Sequence, residues 1–159
     1  MKFLKIVASS FHPRTVREKT TLTGNPLGFF AHSQNFTSQE EIIELLKLNL
    51  DYENNYLTDH EIDFLIVSSN SPDQDFEIGY EYLKKINNKQ LKNGKVYTLI
   101  RGNLGRQFGG YSEAFLKYKD QYDFYIFQED DMISHLPDYL ETAINIWDRT
   151  KNCAFVPFI

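Results

Sequence analysis

Cysteine is almost missing from this chain of 159 residues, where Cys153 stands alone. One thiol cannot close an internal disulfide, and its apolar surroundings, CAFVPFI (153–159), point to a buried thiol in a reducing, cytoplasmic compartment. An excess of positive charge is missing too. Seventeen basic residues face twenty-two acidic ones, a net charge of -5, so the basic face of a nucleic-acid binder is not expected. No apolar run is long enough to cross a bilayer. The opening MKFLKIVASS is interrupted by Lys5, which makes it a first strand and not an export signal, so the protein is expected to be soluble or at most peripheral at a membrane. Glycine signatures for phosphate are missing as well: no G-x-G-x-x-G occurs, and no G-K-[ST] follows a glycine-rich turn. No repeat, low-complexity segment or linker divides the chain, so residues 1–159 are expected to form a single domain.

What is present is an alternation of short β-rich runs with longer helical patterns. FLKIVAS (3–9) predicts the first strand. Residues 10–37 carry Pro and Gly without a period, a long loop of the kind that often carries function. QEEIIELLKLNL (39–50) has a helical period, with Thr37 and Glu40, or Ser38 and Glu41, available for a capping box. IDFLIVSS (62–69) predicts a second buried strand. The helix after it is expected to use Ser71 as cap, Pro72 in its first turn and Gln74 three residues beyond the cap. KVYTLIR (95–101) predicts a strand, RGNLGRQFGG (101–110) a glycine-bearing turn and SEAFLKYKDQ (112–121) a helix. A strand over 123–128, a helix over 137–150 and a last strand over 153–159 complete the order. Repeated βαβ units imply an α/β fold, a mostly parallel sheet with helices on both faces. Ligands of such sheets bind beyond the carboxyl ends of the strands, and SSFHPR (9–14), SSNSPD (68–73), RGNLGRQFGG and the acids at 129–131 all fall there.

Those acids are the sharpest feature. In FYIFQEDDMI (124–133) a buried strand delivers Glu129, Asp130 and Asp131 together. Neighbouring carboxylates repel, and they stay ionised only if a cation, a basic side chain or water screens them. In extended backbone Glu129 and Asp131 share one side and Asp130 takes the other. Two carboxylates on one side suit Mg²⁺ or Mn²⁺, which completes its shell with water and phosphate oxygens. Such an ion would bridge a diphosphate and stabilise the charge that builds as it leaves. The alternative is a solvated turn ahead of a helix, with Asp131 or Ser134 as its cap.

Other residues carry two readings each. Glycines 102, 105, 109 and 110 permit close backbone approach, by a phosphate or by a neighbouring strand. Arg101 and Arg106 pair with the acids or a diphosphate, or are solvated. His12 and Arg14 reach phosphate or are ordinary loop residues. His135 is a metal ligand or structural, and Phe29 and Phe30 stack on a sugar or pin the long loop. The lysines of LKKINNKQLKNGK (83–95) suit a helix end and solvated turn, or a contact with anionic lipid.

YDFYIFQEDDMI (122–133) resembles the D-x-D segment of nucleotide-sugar glycosyltransferases of the GT-A fold, family 2 in kind, in the variant E-D-D. FLIVSSNSPD (64–73) and LIRGNLGRQFGGYSEAF (99–115) look like that family's second and third strand ends, D/S-x-S and then R-x-N-x-G. The resemblance covers most of residues 3–159 in order and spacing. It implies that Ser9 and Ser10 lie near the nucleoside, and Ser69 and Asn70 near the base, where many members have Asp. Arg101 and Asn103 would border the nucleotide, and Gly105 would permit the tight turn into the next helix. Asp131 would be the main metal ligand with Glu129 second, and Asp130 would face the ribose or the sugar.

The implied activity is metal-dependent transfer of a sugar from a nucleotide-diphosphate donor to a hydroxyl of a glycan or lipid-linked acceptor, with Mn²⁺ or Mg²⁺. In that family the general base lies well after the D-x-D strand. The catalytic base is therefore expected outside residues 1–159, which would hold the donor half and rely on further chain or a partner protein. The alternative is a non-catalytic nucleotide-sugar-binding module. A nucleotidyltransferase would show a basic glycine-rich loop after the first strand, where SSFHPRTV has no glycine. A receiver-type domain would spread its acids over the first and third strands.

Overall fold

A computed structural model describes residues 1–12, 38–71, 75–132 and 138–150. The element order is β1 (Lys2–Ser9), α1 (Gln39–Asn55), β2 (Glu61–Asn70), α2 (Glu77–Ile86), β3 (Val96–Gly102), α3 (Arg106–Tyr118), β4 (Phe124–Glu129) and α4 (Tyr139–Arg149). The four strands form one sheet in the order β3-β2-β1-β4, and all neighbours run parallel.

The central strands β1 and β2 are buried along nearly their whole length, so they read as continuous apolar runs. Their alternate side chains feed two layers. Val7, Phe64 and Ile66 pack with Ile42, Leu46 and Leu50 of α1 and with Leu83 and Ile86 of α2. Phe3 and Ile62, on the same face, meet Tyr139 and Leu140 of α4. Leu4, Ile6, Leu65 and Val67 point the other way, onto Ala114 of α3 and a ring of tyrosines that includes Tyr111 and Tyr125. Helices therefore cover both faces of a parallel sheet, as right-handed crossovers require.

Helix α1 starts on a capping box. Ser38 Oγ accepts from the Glu41 amide at 3.3 Å, and a Glu41 carboxylate oxygen accepts from the Ser38 amide at 3.3 Å, so Ser38 and not Thr37 is the cap. The helix runs past its expected end at 50, because Glu53 is itself buried and pairs with the Lys5 ammonium inside the core. Tyr139 donates its hydroxyl to both Glu53 oxygens at 3.1 Å. Lys5, which breaks the apolar run of β1, is thus the positive half of a buried pair that ties β1, α1 and α4 together.

Two helix starts differ from the sequence expectation. Helix α2 begins at Glu77 with Phe76 at its N-cap position, and Ser71 does not cap it. Gly79 decides the placement: a Cβ there would sit 2.2 Å from the Phe11 ring, so the helix must bring a glycine against that ring. Helix α3 begins at Arg106, six residues before the expected 112, and takes Gly109 and Gly110 into its first turns. A Cβ on Gly110 would stand 3.1 Å from Val67, so the glycine serves close helix-to-sheet packing here and not a turn. Helix α4 has Asp138 at its N-cap position, so Asp131 is not its cap. Arg14, Phe29, Phe30, Ser134, His135, Cys153 and the expected strand 153–159 lie outside the described residues. No described helix is long and apolar enough to cross a membrane.

Candidate functional site

The chain lays down β1, β2 and β3 in one direction across the sheet, then returns to place β4 on the other side of β1. That reversal opens a crevice between the carboxyl ends of β1 and β4, the place where doubly wound sheets take ligands. A cleft of ≈ 330 Å³ lies there, lined by Ser9 of β1 and Ser10 just after it, Ser69 of β2, Asn103 after β3 and Glu129 of β4. One space thus collects polar residues from all four strand ends. Arg106, Gln107 and the exposed His12 also line it.

The acidic segment is not extended, as the expected alternation of Glu129 and Asp131 required: beyond Glu129 it is a tight turn, closed by a hydrogen bond from the Met132 amide to the Glu129 carbonyl at 3.2 Å. Its three carboxylates have different environments. Asp130 is fully buried, accepts from Ser9 Oγ at 2.7 Å and donates its amide to the Ala8 carbonyl at 3.1 Å. Glu129 is half-buried on the cleft wall and accepts from Gln107 Nε2 at 3.1 Å. Asp131 is exposed. All three act on one spot: burial pushes the Tyr111 hydroxyl well above its ordinary range, and Glu129, Asp130 and Asp131 push it further. The Tyr111 hydroxyl of α3 thus lies within electrostatic reach of all three.

Arg101 does not reach the acids. Its guanidinium donates to Glu113 at 2.8 Å, to Ser69 Oγ at 3.0 Å and to the Leu104 carbonyl at 2.7 Å. It buttresses the turn that leads into α3. In that turn Gly105 has φ 78° and Arg106 φ 52°, two successive left-handed residues. Only the first is a glycine, and holding a non-glycine residue there costs roughly 1–2 kcal/mol. The consequence is that Arg106 and Gln107 line the cleft. Backbone held in a sparsely populated region at a cleft is a common mark of a working site.

Asn70 is also structural. It donates to Ser68 Oγ at 2.7 Å and accepts from the Phe11 amide at 3.4 Å, steering the chain as it leaves β1. Asn103 donates to Ser71 Oγ at 3.5 Å from an exposed position. Of the residues expected at the site, Ser9, Ser10, Ser69, Asn103 and Glu129 share the cleft, Asp130 lies beneath it and Asp131 stands on the turn. Asn70 and Arg101 support it, and Gly105 makes the turn. Gln107 was not anticipated, since its only sequence signal was its place beside Arg106.

A larger depression of ≈ 560 Å³ lies at the opposite, amino edge of the sheet. Part of its charge is matched: Lys2 pairs with Glu61 at 3.3 Å, and Asp63 accepts from Tyr122 at 2.7 Å and from the Lys95 amide at 2.8 Å. The smaller cleft at the carboxyl edge, where polar residues of all four strand ends meet, is the better site. Among the described residues, no group of three or more His, Cys, Asp and Glu side chains is arranged to cage a metal ion. The residues present instead offer two carboxylates, Glu129 on the cleft wall and Asp131 on the turn. That is the donor count of an ion such as Mg²⁺, which fills its shell with phosphate and water. No protein-family model matches the chain, and neither a curated protein nor a solved structure is significantly similar to it.

Proposed function

We propose that the cleft binds a nucleotide-diphosphate sugar together with Mn²⁺ or Mg²⁺. On this reading the chain is a glycosyltransferase of GT-A type, or the donor-binding half of one, that moves the sugar to a hydroxyl of a glycan or lipid-linked acceptor. One observation carries the reading: polar residues from all four strand ends meet in a single cleft at the switch point, with the acidic turn beside it.

Roles follow from position. Ser9, Ser10 and Ser69 are small and hydroxyl-bearing, so they leave room for a nucleoside and exchange hydrogen bonds with it. Glu129 and Asp131 hold the cation. Asp130, buried against Ser9, anchors the turn and does not face the sugar. Arg106, and not Arg101, meets the diphosphate, because Arg101 is committed to Glu113 and the Leu104 carbonyl. When bound, the cation would supply electrostatic stabilisation of the leaving diphosphate.

The test is incubation with Mn²⁺ and a panel of nucleotide sugars, with and without hydroxyl acceptors, reading free nucleoside diphosphate. Release that requires Mn²⁺ supports the transferase. Binding without release supports a non-catalytic donor-binding module. Calorimetry showing no uptake of Mn²⁺ or Mg²⁺ with any nucleotide sugar would overturn both.

A further inference from the structure

Asn49 sits on the face of α1 that otherwise carries Ile42, Ile43, Leu46 and Leu50 into the core, and it is buried. An amide on an apolar stripe is costly unless it is fully bonded, so its partners matter. Nδ2 donates to the Asp130 carbonyl at 2.9 Å and to the Leu45 carbonyl at 3.1 Å, and Oδ1 accepts from Gln128 Nε2 at 2.6 Å. Gln128, buried in β4, donates from the same nitrogen to the Met132 carbonyl. Two carbonyls of the acidic turn, at 130 and 132, are thereby captured by two linked buried amides. The turn is also closed on itself and tied to β1 through the Asp130 amide and the Ser9 hydroxyl. Asp131, exposed, is the residue that this clamp presents outward.

A leucine at 49 would fill the same stripe, so helix packing alone does not call for an amide. We propose that Asn49 and Gln128 are positioning residues, which preset the spacing of Glu129 and Asp131 so that a divalent cation meets both carboxylates without having to order the turn. The inference rests on the reading of the cleft as a metal-dependent donor site. Groups that hold metal ligands in place typically change metal affinity about 10–100-fold when removed.

Asn49→Leu and Gln128→Met, each in the full chain beside the parent, test it with two measurements. Amide hydrogen exchange at Asp130 and Met132, without metal, reports whether the turn is held. Titration of Mn²⁺ followed by its electron paramagnetic resonance, with and without a nucleoside diphosphate, reports affinity. Faster exchange at these two amides and a loss of Mn²⁺ affinity of about 10–100-fold are expected. Near-ultraviolet circular dichroism checks the fold, and Gln128→Met, close in volume, keeps the test open if Asn49→Leu does not fold. Parent-like exchange overturns the clamp, and faster exchange with parent-like Mn²⁺ affinity overturns its role toward the cation. If the parent takes up no Mn²⁺, the functional reading falls and the role toward the cation with it, while exchange alone still decides whether the amides hold the turn.

Discussion

Lys5 within β1 and the acids at the end of β4 both put charge beside apolar strand residues, and the two places differ in their surroundings. In the middle of β1, Lys5 is buried but meets Glu53, whose carboxylate also accepts from Tyr139. The charges are of opposite sign and are enclosed by protein, so the cluster is complete in itself. At the end of β4, Glu129, Asp130 and Asp131 are of one sign, and only Asp130 is fully enclosed. The first cluster is architecture, since it joins β1, α1 and α4. The second stands at a cleft, where the proposed function assigns Glu129 and Asp131 to a cation. Place in the fold, the core for one and the edge of a cleft for the other, separates the two more than the presence of charge does.

The largest effect is expected from breaking the matched cluster. Lys5→Met leaves the Glu53 carboxylate buried without its cation and should cost about 3–5 kcal/mol in urea unfolding. The double variant with Glu53→Leu should recover most of that loss. A double variant as unstable as the single one would show that the pair is not balanced as described. At the acidic turn the same kind of change should spare the fold: Asp131→Ala should abolish Mn²⁺-dependent binding of nucleotide sugars in calorimetry, with stability within about 0.5 kcal/mol of the parent. Binding as tight as the parent's would remove Asp131 from the metal site.

The arginines sharpen the contrast between architecture and site. Arg106→Ala should weaken nucleoside diphosphate binding about tenfold or more, the scale of one charge-assisted hydrogen bond, while Arg101→Ala should mainly lower the melting temperature. The reverse pattern would return the diphosphate to Arg101. The smallest effect concerns Glu141, at the start of α4. Burial alone would raise its pKa, but hydrogen bonds from Tyr56 at 2.7 Å and Thr58 at 3.3 Å outweigh it, and the net value is lowered. A lowered folded-state pKa gives stability that is present above the ordinary value of 4.5 and lost as pH falls through the lowered one. Acid titration of Glu141→Gln should therefore show a shallower loss of stability below that pH than the parent. Identical slopes would mean that Glu141 contributes nothing to docking α4.

The strands were legible from their β-rich runs, and expectations of 3–9, 62–69, 95–101 and 123–128 fall within one residue of β1 to β4 at each end, but burial on both faces holds for the central β1 and β2 alone: β4, expected as a buried strand, is a part-buried edge strand. The start of α1 was legible from the spacing of Ser38 and Glu41. Glycine misled at α3, where Gly109 and Gly110 look like turn residues yet sit inside a helix. Local propensity cannot anticipate that Gly110 will be pressed against Val67 from a strand more than forty positions away. The cleft residues were partly legible because the geometry of a parallel α/β sheet sends strand ends to one edge. Which arginine faces the cleft was not legible, since two left-handed residues at 105 and 106 decide it. Asn49 gave no signal toward the acids, because a helical stripe does not reveal what it will pack against.

By itself, the order of apolar and polar residues determined that this chain builds a parallel α/β sheet with its polar clusters at one edge, because strand burial and crossover handedness leave few other arrangements. Only the tertiary structure decided that Asp130 turns inward to Ser9, that Arg101 is spent on Glu113, and that Asn49 and Gln128 grip the acidic turn. Those outcomes depend on hydrogen bonds between residues far apart in the chain, whose partners exist only once the layers have packed.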